Sequence, residues 1–293
     1  MIGKIVKALS GFYYIIHDGK VIECRASGLL RKRRETPLVG DNVEYELLPK
    51  DKGYVTEIKE RRNFLQRPPI ANIDCMVIIS SAQCPKPNLQ IIDRMIAIAE
   101  KNQIEPIIVF NKSDLGSLDE YVGIYKKAGF EAFAVSCVTG EQIDKIRNLL
   151  KGKISLFCGN SGVGKSSLLN LLDERFEIKT GEVSEKLGRG RHTTRHTQFY
   201  FLDDDTLIAD SPGFSSIETE RIAFILKEEL PQLFREFSDY TGDCRFNSCA
   251  HIKEKDCAVR EAVLRGDIPQ SRYDSYVSMY EESKDLKEWQ LKK

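Results

Sequence analysis

Gly159-Asn160-Ser161-Gly162-Val163-Gly164-Lys165-Ser166 is the stretch that decides the fold of the central part of this chain. It follows an apolar run at 154–158 that predicts a buried strand, and it precedes a predicted helix at 167–172. A glycine-rich turn between strand and helix directs backbone N–H groups at phosphate oxygens, and the helix N-terminus favours negative charge. The pattern predicts a P-loop in which Lys165 reaches the β- and γ-phosphates and Ser166 ligates Mg²⁺.

A second motif, Asn111-Lys112-Ser113-Asp114, follows a predicted strand at 106–110 and indicates selectivity for guanine. Asp114 can accept two N–H bonds from the guanine edge, where adenine offers no matching pair. We expect Asn111 to brace the loop, Lys112 to lie over the ring and Ser136, after its own strand, to support the base from the far side.

A third motif, Asp210-Ser211-Pro212-Gly213, follows a predicted strand at 206–209. Asp210 is placed to hold Mg²⁺ directly or through water, and the Gly213 N–H to bond the γ-phosphate. Ordinary GTPases run P-loop, switch, guanine motif, whereas here the guanine motif comes first, so the domain is predicted to be circularly permuted. The predicted nucleotide-binding set is Asn111, Lys112, Ser113, Asp114, Ser136, Gly159, Asn160, Ser161, Gly162, Val163, Gly164, Lys165, Ser166, Ser167, Asp210 and Gly213.

The segment between P-loop and Asp210 contains a basic, glycine-containing stretch at 188–196 that suits a mobile switch. A threonine there can complete the Mg²⁺ shell when γ-phosphate is present. Many GTPases carry glutamine just after the Asp-x-x-Gly glycine to orient the attacking water. Phe214 stands at that position and cannot do so. Either hydrolysis is slow in the protein alone, or another group positions the water, and His192 and His196 are the nearby candidates.

A cluster near the C-terminus, Cys244-x4-Cys249-x-His251-x5-Cys257, offers three thiolates and one imidazole within fourteen residues. Such a closed set is typical of structural Zn²⁺, and it leaves no open position for catalysis. The other five cysteines are scattered, several of them in apolar strand-like runs.

Composition and patterning predict a multi-domain protein. The first 67 residues carry fourteen basic and nine acidic side chains, although the whole chain is neutral, which hints at an anionic partner. Five short strand-like segments (4–8, 12–17, 21–26, 42–48 and 54–58) predict an OB-type barrel, with the basic run at 31–34 in a loop. Strands alternating with helices then predict a parallel α/β sheet, followed by helix at 220–237, the cysteine cluster and amphipathic helices. Apolar runs are too short to span a bilayer.

The permuted motif order, the basic barrel, the switch stretch and the cysteine cluster together resemble the ribosome small-subunit-dependent GTPase A family over essentially the whole chain. The resemblance implies an OB domain at 1–67, a permuted P-loop GTPase domain at 68–218 and a small zinc-binding helical domain at 219–293. It implies that Thr194 contacts Mg²⁺ and that His192 acts in hydrolysis, with Lys165 the third catalytic residue. Arg195 stands where some members carry a third threonine, which leaves Thr193 as the alternative to Thr194. Phe214 fits the family's hydrophobic replacement of glutamine.

The resemblance further implies a GTPase stimulated by the small ribosomal subunit, acting late in its maturation and binding its rRNA. We expect a cytoplasmic monomer that contacts no membrane and uses Mg²⁺ with GTP or GDP and one structural Zn²⁺. The alternative is a nucleotide-regulated RNA-binding scaffold in which turnover is incidental.

Overall fold

The structure is a computed structural model that describes residues 1–173, 199–210 and 225–284. Within these ranges the chain forms a barrel, a six-stranded sheet and a helical C-terminal region. None of the helices in the described part is long and apolar enough to cross a membrane.

The N-terminal barrel closes in the strand order β1-β2-β3-β5-β4, with β3 parallel to β5 and β4 paired back to β1. This is the OB-type barrel that the sequence predicts. Period-two alternation turns Ile5, Ile15, Val43 and Val55 into the barrel, where they are fully buried. The strands are β1 (Ile2–Leu9), β2 (Phe12–His17), β3 (Lys20–Ala26), β4 (Asn42–Leu48) and β5 (Lys52–Ile58).

The basic run at 31–34 does not lie in a loop, as the sequence suggested, but largely in helix α1 (Gly28–Arg33). Ser27 caps this helix by accepting the Leu30 N–H at 3.4 Å. Leu30 is fully buried in the barrel core. The prediction was wrong because a six-residue helix has little intrinsic stability and depends on this apolar contact.

The central sheet has the order β10-β9-β8-β11-β13-β12, and all neighbours except β12 and β13 are parallel. A short hairpin of β6 (Phe64–Leu65) and β7 (Ile70–Ala71) precedes it. The sheet strands are β8 (Cys75–Ser81), β9 (Glu105–Asn111), β10 (Glu131–Ala134), β11 (Ile154–Gly159), β12 (Phe199–Phe201) and β13 (Leu207–Asp210).

Apolar side chains on both faces of the sheet are buried, as expected for parallel strands. One face packs with α2, α3 and the C-terminal region, and the other with α4 and α5. Strand β11 lies between β8 and β13, where the strand order of the sheet reverses. The P-loop therefore follows a strand at the usual place for a ligand crevice. The helices are α2 (Leu89–Lys101), α3 (Asp119–Lys127), α4 (Ile143–Leu150) and α5 (Lys165–Leu172).

The C-terminal region differs from the predicted helix at 220–237. Its described part contains two short 3-10 turns, Leu230–Leu233 and Arg235–Phe237. Pro231 lacks an N–H and its ring obstructs the preceding turn, so an α-helix cannot run through it. Up to residue 284, where the described part ends, three helices follow: α6 (Ser238–Thr241), α7 (Ala258–Arg265) and α8 (Gln270–Ser283).

Helix α8 is fixed to α2 by a buried ion cluster. The guanidinium of Arg272, with no exposed surface, donates to Asp93 on α2 at 2.7 Å and to Glu236 at 2.6 Å. It also lies 4.6 Å from the centre of the Phe234 ring. Burial alone would lower the pKa of Arg272, but these carboxylates raise it, so the guanidinium stays charged.

Candidate nucleotide and metal sites

The P-loop needs glycine at its two ends. Gly159 ends β11, and a Cβ there would lie 2.3 Å from the Ile79 carbonyl oxygen. Gly164 precedes α5 with φ +92°, and its Cβ would lie 2.1 Å from Asn111 Nδ2. Val163 between them is buried, whereas Ser161 and Gly162 are exposed at the loop tip. Lys165, Ser166 and Ser167 form the first turn of α5, half-buried beneath the loop.

Asn111 joins three loops at the carboxyl edge of the sheet. This residue is 2% exposed, and its Nδ2 donates to the Val163 carbonyl of the P-loop at 2.9 Å. Its Oδ1 accepts the N–H of Lys112 at 2.7 Å and the N–H of Cys137 at 3.2 Å. One buried amide therefore sets the guanine loop, the P-loop and the loop after β10 relative to one another.

Lys112 repeats this link with its ammonium group. Its Nζ donates to the carbonyls of Gly162 at 2.8 Å, Cys84 at 2.8 Å and Gln83 at 3.0 Å. Lys112 itself has φ +65°, a conformation that the surrounding hydrogen bonds hold. The sequence did not indicate the loop after β8 as part of this site, because a backbone carbonyl acceptor has no residue signature.

A hydrogen bond from Ser136 holds the side chain of Asp114. The buried Ser136 hydroxyl donates to Asp114 Oδ1 at 2.6 Å and accepts the N–H groups of Val138 and Thr139 at 3.2 Å each. Ser113 donates to Glu141 at 2.9 Å. The Asp114 carboxylate stands exposed on a braced loop, ready to accept N–H donors from a ligand.

Asp210 is the last residue of β13, and its backbone pairs in register with Phe157 of β11. The carboxyl ends of β9, β11 and β13 thus bring Asn111, Gly159 and Asp210 to one edge of the sheet. Gly213, Phe214, His192, Thr193, Thr194, Arg195 and His196 lie outside the described residues.

Cys244, Cys249, His251 and Cys257 converge on one point, with all four ligand atoms within 4.8 Å of one another. His251 Nδ1 lies 3.6 Å from the sulfur of Cys244 and 3.4 Å from that of Cys257, and those two sulfurs are 4.0 Å apart. Tetrahedral zinc with metal–sulfur bonds of about 2.3 Å would place sulfurs about 3.8 Å apart. Three sulfurs and one imidazole at this spacing can hold a metal ion, and their geometry fits zinc.

Burial disfavours the charged forms of three of these four side chains. It raises the pKa of Cys249 to about 12, raises that of Cys257, and lowers that of His251. The imidazole is therefore neutral, while the thiols keep their protons until a cation displaces them. Backbone N–H groups of His251 and Arg260 point at the sulfurs of Cys249 and Cys257.

Neighbouring residues fix the histidine loop in ways that the sequence did not reveal. The hydroxyls of Tyr273 and Tyr276 on α8 donate to the carbonyls of His251 and Ala250, at 2.7 Å each. Glu254 accepts the N–H groups of residues 250, 252 and 253 at 3.0 Å. Helix α8 therefore supports the cluster of Cys244, Cys249, His251 and Cys257, called here the Cys–His cluster, and contacts α2 through Arg272.

Comparisons with known proteins agree with this arrangement. The profile of the RsgA GTPase family matches residues 58–220, and that of the RsgA N-terminal domain matches residues 2–55. A "Small ribosomal subunit biogenesis GTPase RsgA" from Caldanaerobacter subterraneus subsp. tengcongensis is 46% identical over 97% of this chain and 96% of its own. The protein of that name from Bacillus subtilis is 42% identical over 97% and 98%.

Two solved structures are similar over nearly the whole chain. YjeQ from Thermotoga maritima superposes with a TM-score of 0.82 at 33% identity, covering 98% of this chain and 99% of its own. YloQ, described as a circularly permuted GTPase, gives a TM-score of 0.79 at 38% identity, covering 98% and 96%. With its permuted motifs, closed barrel and cysteine cluster, the chain belongs to the RsgA GTPase family.

Proposed function

We propose that this chain hydrolyses GTP to GDP and phosphate in the biogenesis of the small ribosomal subunit. The observation that carries the proposal is the Asn111 amide, which hydrogen-bonds the guanine loop to the P-loop although the two lie about fifty residues apart in permuted order. Relatives that share more than 40% of their residues with the whole chain carry this activity in their names.

In this proposal Asp114 reads the guanine edge and Ser136 holds the carboxylate in place. The N–H groups of residues 159–164 surround the phosphates, and Lys165 neutralises charge on the β- and γ-phosphates. Asn111 and Lys112 position the two loops on which the base and phosphates rest. Ser113, Ser166, Ser167 and the Gly213 N–H complete the nucleotide-binding set.

Mg²⁺ would be held by Ser166, Asp210 and Thr194. Ser166 lies in the first turn of α5, and Asp210 ends β13, the strand that pairs with β11. Their hydroxyl and carboxylate are hard oxygen ligands, which suit this ion. The ion would neutralise charge on the phosphate oxygens. His192 orients the attacking water in place of the glutamine that Phe214 replaces.

We assign structural zinc to the cysteine cluster. Its four protein ligands support a closed tetrahedral site rather than a catalytic one. The test is metal analysis of protein purified without chelator, which should find one zinc per chain. After chelation we expect the region around α7 to lose protection from proteolysis, and protein that holds no stoichiometric metal would remove the assignment.

Several wider predictions accompany the function. The basic barrel contacts rRNA, the protein works as a cytoplasmic monomer, and its domains divide at 1–67, 68–218 and 219–293. The excess of basic side chains in the first 67 residues supports the RNA contact.

GTP turnover with purified ribosomal subunits tests the function directly. Small subunits should raise the turnover rate, and large subunits at equal concentration serve as the matched control. Equal rates with and without small subunits would refute the proposal. His192→Ala separates a timing enzyme from the scaffold alternative, because a GTPase that must hydrolyse to leave should stay on the small subunit, whereas a scaffold should dissociate as the unmodified chain does.

A further inference from the structure

The outer face of the barrel carries aromatic and cationic side chains in cross-strand register. Phe12 on β2 lies opposite Arg25 on β3, and Arg25 lies opposite Tyr54 on β5. The Arg25 guanidinium stands over the Phe12 ring, 4.4 Å from its centre. These residues form one continuous row across three strands.

A second row runs parallel to the first. Lys7 on β1, Tyr14 on β2, Glu23 on β3 and Lys52 on β5 are successive cross-strand neighbours. The Lys7 ammonium lies 5.6 Å from the centre of the Tyr14 ring, and the Tyr14 hydroxyl donates to Glu23 at 3.5 Å. Lys52 lies 4.0 Å from the other oxygen of Glu23, which offsets that negative charge.

Both rows alternate along their strands with residues that are buried inside the barrel, although Phe12 and Tyr14 are half-buried and Tyr14 packs against the core. Strand alternation buries Tyr13 and Ile15 inside, whereas Tyr54 is 44% exposed and Arg25 is also exposed. Cross-strand aromatic and charged pairs stabilise a sheet by themselves. That role does not require an aromatic ring such as Tyr54 to present nearly half of its surface to water.

Positive charge continues from this face onto α1. The N–H of Ser27, the cap of α1, donates to the Val55 carbonyl at 2.9 Å, next to Tyr54 along β5. The face itself holds Lys7, Arg25 and Lys52 against Glu23 and Glu46, and α1 adds the basic run at 31–34.

We propose that Phe12, Tyr14, Arg25 and Tyr54, called here the stacking face, bind unpaired bases of single-stranded RNA. This inference rests on the proposed RNA contact of the barrel and specifies its face and its chemistry. Aromatic rings and guanidinium planes stack on bases of any sequence, and flanking cations neutralise the phosphates. A duplex keeps its bases stacked internally and offers this face only its backbone.

The test is direct binding of a labelled oligouridylate of about twelve nucleotides, within the site size of one OB fold, and of an RNA duplex of equal length. Tyr54→Leu keeps apolar bulk but removes the ring. It should weaken binding of the single strand by roughly 5- to 150-fold, with the salt dependence unchanged because no charge is lost. Tyr54→Phe should bind as the unmodified chain does.

Two controls keep the outcome specific to stacking. Leu264→Ala removes an apolar side chain that is 85% exposed on α7 and should leave RNA binding unchanged. GTP turnover stimulated by small subunits, measured on the unmodified chain, reports the proposed function independently of free RNA binding. Unaltered single-strand affinity in Tyr54→Leu, or an equal loss for single strand and duplex, would overturn the stacking face even where that stimulation is present.

Discussion

Replacing Gly164 with alanine should show how much nucleotide binding depends on the hydrogen bonds of Asn111, as distinct from the cost of a positive φ. Gly164 has φ +92°, and a Cβ there would lie 2.1 Å from Asn111 Nδ2 and 3.4 Å from Cγ. Gly266, at the C-terminus of α7, has a similar φ of +79°, but a Cβ there meets nothing within 4 Å. Gly266→Ala is therefore the matched control.

The magnitude follows from what the amide must give up. Alanine in a left-handed conformation costs roughly 1–2 kcal/mol of unfolding free energy, and this cost is common to both variants. At position 164 the Asn111 amide must also move away, which breaks its three hydrogen bonds to the P-loop, to Lys112 and to Cys137. At about 1 kcal/mol for each bond this adds about 3 kcal/mol, which corresponds to about 100-fold in nucleotide affinity if the loops must be ordered again on binding.

The assay is titration of each variant with a fluorescent GDP analogue, alongside chemical denaturation. Gly266→Ala should bind as the unmodified chain does, with only the small loss of stability. Gly164→Ala should bind about 100-fold more weakly. Equal nucleotide affinity in the two variants would show that the hydrogen bonds of Asn111 do not set the relative position of the guanine loop and the P-loop.

Three further predictions concern single charges. Asp114→Asn should shift preference from guanine toward xanthine nucleotides, measured by competition binding, and unchanged GTP selectivity would contradict the assigned role. Glu254→Gln should destabilise the loop at 250–254 by about 1–2 kcal/mol, allowing for its partial exposure. Burial alone would raise the pKa of Glu254, but backbone N–H donors lower it, so melting curves should show the difference from the unmodified chain above about pH 4.3 and lose it as pH falls through the lowered pKa. Arg272→Met should lower the unfolding free energy in urea by about 3–5 kcal/mol, since Asp93 and Glu236 then lie buried without a counter-charge, and a loss below about 1 kcal/mol would contradict the buried ion cluster.

The sequence predicted those parts of the fold that depend on short-range pattern. Strands β2 and β4 begin and end where alternation places them. Helix α1 was missed because its stability comes from Leu30 inside the barrel, a contact that no local pattern records. The prediction of a helix at 220–237 did not take account of Pro231, whose ring limits the described part to 3-10 turns.

The same division holds at the sites. Motif residues could be named in advance because phosphate, guanine and metal each demand particular side chains at fixed spacing. Their supports could not be named, since the carbonyls of Gln83 and Cys84 that hold Lys112 are common to every residue type. The Arg272–Asp93 pair spans 179 positions, and nothing in either local sequence indicates the other.

These long-range contacts give the permuted order a mechanical consequence. Asp210 ends β13 beside the P-loop strand, and the chain resumes its described course at residue 225, in a C-terminal region that Arg272 fixes to α2. Helix α2 lies between β8 and β9, and β9 leads directly into Asn111. The Cys–His cluster is thus attached by packing to the elements that carry Asn111. The peptide chain attaches it to β13, the strand that ends at Asp210. A change at the γ-phosphate can reach the cluster along the chain after Asp210, or through the sheet and the contacts that join the C-terminal region to α2, of which Arg272 makes one. Because Arg272 is buried and doubly paired, that contact is stiff, so the cluster is held to the part of the site that carries Asn111.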